Sequence, residues 1–248
     1  MNINISEQFL SIQGEGSTAG RKAVFVRTQA CNLMCGGYGT EKDGKLHRGA
    51  EWRCDTIEVW RQGEPWTTDR FRSYLLSVYD EAFKNGAMIV WTGGEPLLQQ
   101  KAIYEVCNKI MVSDSHKTIR HEVETNGTIM PDDQMVRIID QWNVSPKLSN
   151  SGMFWHKRLK ADVLTTFRML GDKVCWKFVV TSERDMAEIN KIVERIDINP
   201  NHVWLMPGVD NREQWYRESG AIASLASKHQ YNFSPRLQVI LWDQVTGV

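Results

Sequence analysis

The chain has 248 residues, with 30 basic and 30 acidic side chains, 5 cysteines and 10 tryptophans. That length suits one domain of α/β-barrel size, or two smaller ones, with a core large enough to fold without disulfides. A composition of 42% hydrophobic and 24% charged residues excludes a disordered or fibrous chain, and the zero net charge argues against a dominant electrostatic grip on nucleic acid.

The opening MNINISEQFL has neither a basic nor a continuous apolar region, so no secretion signal is expected. From there the sequence alternates short β-branched and aromatic runs with helix-period segments. The pattern predicts strands at 23–28, 88–92, 119–124, 142–145, 174–180, 203–206 and 237–242. Between them it predicts helices at 69–84, 101–111, 132–140, 158–170, 183–196 and 212–229. Such alternation implies a parallel sheet, open or closed into a barrel. No linker or internal repeat divides it, so 1–248 reads as a single domain. Apolar runs such as 87–91 fall far short of the roughly 20 residues that span a bilayer, so no membrane contact is expected and the expected setting is the cytoplasm.

Unusual residues gather at the predicted strand ends: Thr92-Gly93-Gly94-Glu95-Pro96, Glu124-Thr125-Asn126-Gly127, Ser145-Pro146-Lys147 and Met206-Pro207-Gly208. Any one of these could be mere turn punctuation. Together they mark the C-terminal edge of a parallel sheet, where loops from several strands converge on ligands.

The loop after the first predicted strand holds Cys31, Cys35 and Cys54, whereas Cys107 and Cys175 read as small buried residues. Three thiolates at a ligand-binding edge suit a metal centre, and two kinds compete. A structural zinc needs four closed ligands, with His47 completing the set. An iron–sulfur cluster on three cysteines leaves one iron open. Spacing alone does not choose between them.

The neighbouring residues do. Cys31-Asn32-Leu33-Met34-Cys35, followed at a distance by Cys54-Asp55-Thr56, resembles the cluster loop of radical S-adenosylmethionine enzymes, and Gly93-Gly94-Glu95 resembles their second-strand GGE motif. Ser11-Ile12-Gln13-Gly14-Glu15-Gly16, Phe25-Val26-Arg27, Lys177-Phe178-Val179 and Ser234-Pro235-Arg236-Leu237 narrow the resemblance to the 7-carboxy-7-deazaguanine synthase family. Two departures stand out. Tyr38 occupies the position of the family's usual third cysteine, so an insertion at 36–51 is expected to loop out and leave Cys54 as the third ligand; and Gln238 stands where relatives often carry His.

The resemblance implies an α/β fold, an incomplete (β/α)6-type radical SAM partial barrel with an insertion in the cluster loop; a full eight-unit barrel takes about 250 residues before any insertion. It implies conversion of 6-carboxy-5,6,7,8-tetrahydropterin to 7-carboxy-7-deazaguanine with loss of ammonia. The cofactors would be a 4Fe-4S cluster on Cys31, Cys35 and Cys54, S-adenosyl-L-methionine, and Mg2+ on Thr56. S-adenosylmethionine would meet Arg53, Asp55, Gly94, Glu95, Ser145, Pro146 and Lys147, with the Glu95 carboxylate on its ammonium. The pterin would meet Ile12, Gln13, Gly14, Glu15, Arg27 and Thr92. A homodimer and an electron donor such as flavodoxin or ferredoxin are implied, with no direct nucleic-acid contact. Trp52 and Trp66, near the cluster loop, read as packing residues, with shielding of the cluster or contact with a reductase as the alternatives. Alternatives are another small radical enzyme such as a glycyl-radical activase, a zinc-containing binding module, or a relative with changed activity.

Overall fold

The computed structural model describes residues 1–37, 45–112, 117–245 and 247–248. Among the described residues nine strands form one sheet: β1 (Asn2–Ile12), β2 (Lys22–Thr28), β3 (Glu64–Thr67), β4 (Met88–Gly93), β5 (His121–Thr125), β6 (Gln141–Val144), β7 (Val174–Val180), β8 (Val203–Pro207) and β9 (Asn232–Phe233). Their order is β3-β1-β2-β4-β5-β6-β7-β8-β9. From β2 through β9 every pairing is parallel, while β1 runs antiparallel to both β2 and β3. The two ends of the sheet do not pair, so the barrel stays open, with β2, β4, β5, β6, β7 and β8 as its parallel wall.

Most predicted elements recur within a few residues; the short strands β3 and β9 were not expected, the 158–170 segment divides between Trp155–Arg158 and Ala161–Arg168, and three further regions differ. The 11-residue β1 was not expected, because MNINISEQFLSI mixes polar residues onto both faces of a strand that is covered on one side only. The 69–84 segment divides at Tyr79 into helices Thr68–Val78 and Asp80–Lys84. The 237–242 run, expected as a strand, is the helix Leu237–Trp242. The edge of β8 is already paired with β9, and the Leu237 N–H bonds to the Gly14 carbonyl at 3.0 Å, so the run turns back over the barrel mouth instead of joining the sheet.

The period of two along each strand sorts side chains between two environments. Val24, Val26, Ile89, Trp91, Val123, Trp142, Val144, Trp176, Phe178 and Val180 face outward into one apolar core under the helices. The helices supply apolar stripes at three- and four-residue spacing, such as Ala102, Ile103, Val106, Cys107 and Ile110 in Gln100–Met111. Met186, Ile189, Ile192, Val193 and Ile196 do the same in Met186–Ile196. Each Val, Ile or Met among them, fully buried, contributes roughly 1.5–3 kcal/mol. Trp91, Trp142 and Trp176 are thus packing residues.

The inward face is layered. Ala23, Phe25, Met88 and Val90, with Phe9 stacked on Phe25 at 5.3 Å, close the bottom of the barrel. Above them come Glu122, Asn143 and Cys175, then Arg27, Thr92, Glu124, Ser145, Lys177 and Val179, all buried except the half-buried Glu124. Strand alternation therefore lines the upper barrel with polar and charged groups.

Candidate active site

One cavity of about 490 Å3 opens at the C-terminal ends of the strands. Every residue expected at the site lines it except Glu95 and Pro146. Its two ends differ in chemistry: cysteines on one side, buried carboxylates and cations on the other.

At the cysteine end, Cys31, Cys35 and Cys54 share a small apolar shell with Leu33, Trp52, Met153, Val179 and Met206. The insertion leaves and rejoins this loop at one point: the Cys54 N–H bonds to the Cys35 carbonyl at 3.1 Å, and a Cβ on Gly36 would lie 2.5 Å from Arg53 Cα. Gly36 has φ +77°, so both space and backbone demand glycine there. The pinch sets Cys54 beside Cys35 despite the intervening residues. Tyr38 itself lies outside the described residues. Burial pushes the Cys31 and Cys35 thiols up to about 12, with only the Leu33 N–H and the Lys147 ammonium respectively as the leading opposing influences. Burial thus disfavours the thiolate form at Cys31 and Cys35.

Among the described residues no three His, Cys, Asp or Glu side chains gather tightly enough to ligate a single metal ion. Cysteines around a four-iron cube stand farther apart than the ligands of one zinc, so three thiols converging on a cavity suit the cluster better. His47, the fourth ligand of the zinc alternative, is exposed and does not line the cavity.

Glycines bring the β4 end against the cysteine loop. A Cβ on Gly94 would fall 2.3 Å from Ala30 O and 2.6 Å from Cys31 Cβ. The Glu95 carboxylate departs from expectation: it is fully buried and accepts from Thr125 Oγ1 at 2.8 Å, Asn126 N at 2.7 Å and Leu97 N at 3.1 Å. It caps the turn Pro96–Gln99 and ties β4 to the β5 loop, so it is not placed to meet an ammonium in the cavity. Burial pushes it up to about 7 against those bonds. Pro146 is buried behind the wall, while Ser145 accepts from Lys147 Nζ at 2.9 Å, which also sits 5.6 Å from the Trp52 ring centroid. Arg53 pairs with Glu58, Asp55 pairs with Arg236 at 2.5 Å, and Thr56 Oγ1 lies 3.7 Å from Cys54 Sγ.

The opposite end is a buried ionic network. Glu15 sits between Lys177 at 2.5 Å and Arg236 at 3.4 Å and accepts from Gln238 Nε2 at 2.6 Å. Although burial opposes it, these two cations hold the Glu15 carboxyl down to about 2. Lys177 is raised despite its own burial by Glu15 and by Glu124, which lies at 3.7 Å. Thr92 Oγ1 donates to Glu124 at 2.8 Å, and Arg27 pairs with Glu7 at 2.7 Å. The Gln13 amide is taken by protein: Nε2 donates to Glu122 at 2.6 Å and Glu124 at 3.3 Å, and Oε1 accepts from Glu15 N at 3.2 Å. In this arrangement its side chain orients Glu122, Glu124 and the Glu15 backbone. A Cβ on Gly14 would collide with Gln238 Oε1 at 2.0 Å.

Sequence reasoning missed several members of this wall. Lys177, Arg236, Glu124 and Asn143 line the cavity, as do Asp243, Gln244, Val245, Gly247 and Val248. The signal for Lys177 was present: a lone lysine inside the apolar strand VCWKFVV must be buried and paired.

No protein-family model matches the chain. The 7-carboxy-7-deazaguanine synthase of Halobacterium salinarum is 32% identical, over 97% of this chain and 91% of its own. That of Pyrobaculum aerophilum is 30% identical, over 99% and 97%. Among solved structures, QueE from Escherichia coli superposes with a TM-score of 0.59 at 19% identity, covering 94% of this chain and 93% of its own. Native anSMEcpe, solved with bound AdoMet and a peptide, superposes at 0.56 and 13% identity, over 85% of this chain and 63% of its own. Those two likenesses concern the open α/β fold, whereas the full-length sequence relationships place this chain in the 7-carboxy-7-deazaguanine synthase family.

Proposed function

We propose that this chain is a radical S-adenosylmethionine lyase that converts 6-carboxy-5,6,7,8-tetrahydropterin to 7-carboxy-7-deazaguanine with loss of ammonia. The observation that carries the reading is the two-ended cavity: three cysteines at one end, and at the other a buried set of cations and carboxylates that suits a polar heterocycle bearing a carboxylate. Cys31, Cys35 and Cys54 hold a 4Fe-4S cluster, and Gly94, Ser145 and Lys147 bound the space for S-adenosylmethionine. When bound, that pair supplies the one-electron chemistry needed to open an unactivated C–H bond. Thr56, beside Cys54, contributes a hydroxyl to Mg2+, which takes its remaining oxygens from substrate and water.

The chain's own residues bind, orient and exclude water. Arg27, at the top of β2, offers a two-point contact to the substrate carboxylate when it exchanges its bond with Glu7. Glu15, kept ionised by Lys177 and Arg236, accepts from N–H groups of the ring. Glu124, held by Thr92 Oγ1, presents a second acceptor. Glu95 acts indirectly, by fixing the β4 end on the β5 loop. Arg53 and Asp55, engaged with Glu58 and Arg236, position the loop that carries Cys54. Among the described residues no helix is long and apolar enough to cross a membrane, and a cytoplasmic homodimer reduced by a flavodoxin or ferredoxin completes the reading.

The test is an anaerobic, cluster-reconstituted assay with S-adenosylmethionine, Mg2+, dithionite and the carboxytetrahydropterin. Formation of 7-carboxy-7-deazaguanine is the expected result. If 5′-deoxyadenosine forms without it, the substrate assignment falls while the cluster assignment stands. If neither forms and no iron binds, both fall.

A further inference from the structure

The cluster loop has an outward face that the reaction itself does not use. Met153 packs on the shell containing Cys31, Cys35 and Cys54, and the chain then turns outward. Phe154 is 48% exposed and Trp155 70% exposed, and the two residues lie within about 7 Å of chain from Met153. They are not isolated apolar spots: Phe154 stacks on His156 at 5.6 Å, Trp155 meets His156 edge-on at 6.1 Å, and the Arg48 guanidinium lies 4.2 Å from the Phe154 ring centroid. Two elements are locked together here. Gly36 N bonds to Ser151 O at 3.0 Å, Glu51 N bonds to Asn150 O at 2.8 Å, and Gly152 abuts the His47 carbonyl.

Among the described residues cations predominate on this face. Lys45, Arg48, Lys157 and Lys160 are exposed on these two segments. Of the neighbouring carboxylates, Glu188 is engaged with Arg158 at 2.5 Å and with Ser149, and Glu51 with Thr181 and Arg184, while Asp162 is exposed beyond Lys160. Exposed aromatics beside Arg are enriched at protein interfaces, and lysines around them would act through their charge, steering an acidic partner.

We propose that Phe154, Trp155 and Lys157, with Lys45 and Arg48, form the docking surface for an acidic one-electron carrier protein that reduces the cluster. This rests on the radical-enzyme reading above. A carrier bound there would be oxidised by one electron and the cluster that Cys31, Cys35 and Cys54 would hold, with Met153 packed on their shell, would be reduced by one, with no proton or atom exchanged. Trp52, read from sequence as a packing residue with reductase contact as an alternative, is buried with its indole N–H on Asn150 Oδ1 at 2.8 Å. Trp66 packs among Phe71, Tyr74 and Arg70. Trp155 is the exposed indole at the cluster.

The experiment uses the reconstituted enzyme, with reduced flavodoxin as the acidic carrier and dithionite as a small reductant. Trp155→Ala and the pair Arg48→Glu with Lys157→Glu are compared with Lys22→Glu, which lies at the opposite end of β2. In the first two, the KM for flavodoxin should rise at least fivefold while the dithionite-driven rate holds, and Lys22→Glu should change neither. Independently of turnover, carbodiimide coupling of flavodoxin carboxylates to the enzyme should map to Lys45 and Lys157 and fade with salt. An unchanged KM, crosslinks confined to other lysines, or dithionite turnover without flavodoxin turnover would overturn the proposal. Loss of dithionite-driven turnover in the unmodified enzyme would instead strike the proposed function, and the crosslink map would still judge the surface.

Discussion

Glu122 gives the most quantitative test of the barrel interior. Its carboxylate accepts from Gln13 Nε2 at 2.6 Å, Asn143 Nδ2 at 2.5 Å and Thr18 Oγ1 at 2.8 Å. Burial, then the like charge of Glu124, pushes it from an ordinary 4.5 to about 7. Burial does the same to Glu95, and depresses His121 from 6.5 to about 4. A carboxyl raised in the folded state stabilises below its unfolded value and loses that contribution as pH rises through the folded one; a histidine depressed in the folded state gains stability as pH rises through its unfolded one. Between pH 5 and 8 the two carboxyls therefore lower stability while His121 raises it. Glu15, held down at about 2, changes its contribution only below this window. All three groups are essentially excluded from solvent, so no screening discount applies, and at 1.36 kcal/mol per unit the unmodified protein should lose about 3 kcal/mol from pH 5 to pH 8. In Glu122→Gln the remaining two groups nearly cancel, leaving a loss under about 1 kcal/mol by the same linkage. The glutamine oxygen keeps Gln13 and Asn143, and its amide faces a Thr18 hydroxyl that can accept. Urea midpoints of the metal-free protein at pH 5, 6, 7 and 8 provide the measurement. A Glu122→Gln profile parallel to that of the unmodified protein would show that Glu122 is ionised in the fold, and would refute the buried-acid account.

Other substitutions probe the remaining parts of the site. Lys177→Met removes the cation nearest Glu15 and leaves Glu15 and Glu124 under-compensated; breaking a buried pair this way costs roughly 3–5 kcal/mol, to be seen as a fall in melting temperature and loss of turnover. Gly94→Ala forces a methyl into Ala30 O and Cys31 Cβ, displacing the cysteine loop, so iron retained after reconstitution and affinity for S-adenosylmethionine should both drop, the latter at least tenfold. Cys54→Ala should abolish the brown colour of the reconstituted protein, whereas Cys107→Ala should keep it. A coloured Cys54→Ala protein would mean that another residue closes the cluster.

Much of this architecture is legible in sequence because the parallel wall is buried on both faces. Strands such as VCWKFVV and MIVWTG must be near-continuous apolar runs, and the helices between them carry strong period-3.6 stripes. The elements that sequence missed are those with weaker constraints. β1 is an antiparallel extension with partly exposed residues, so its pattern is diluted, and the two-residue β9 offers no period at all. The run LQVILW is apolar and branched enough for a strand, yet its conformation is decided by what is already paired, since β9 occupies the free side of β8. Short apolar runs are ambiguous for that reason.

The site was legible as a set of positions but less so as a set of roles. Sequence motifs locate residues at the sheet edge, but strand alternation and hydrogen-bond demand decide where each side chain spends its polar groups. Glu95 and Gln13 illustrate this. Both stand in motifs that suggest ligand contact, and both have their side chains consumed by the protein, Glu95 by three donors and Gln13 by two glutamates and the Glu15 N–H. A buried carboxylate without such partners would be costly, so a cavity built from charged residues must first satisfy itself. Lys177 and Arg236 follow from the same demand: a largely buried Glu15 can remain ionised only if cations come from elsewhere, and they arrive from β7 and from the segment before the last helix. Gln238 marks the margin of that balance. Its amide supports Glu15 at 2.6 Å, but its Oε1 is buried with no hydrogen-bond partner among the described residues. A histidine at that position could still donate one N–H to Glu15. Gln238→His should therefore leave stability within about 1 kcal/mol, the usual worth of one hydrogen bond. A larger loss in denaturant unfolding would show that the amide does more than support Glu15.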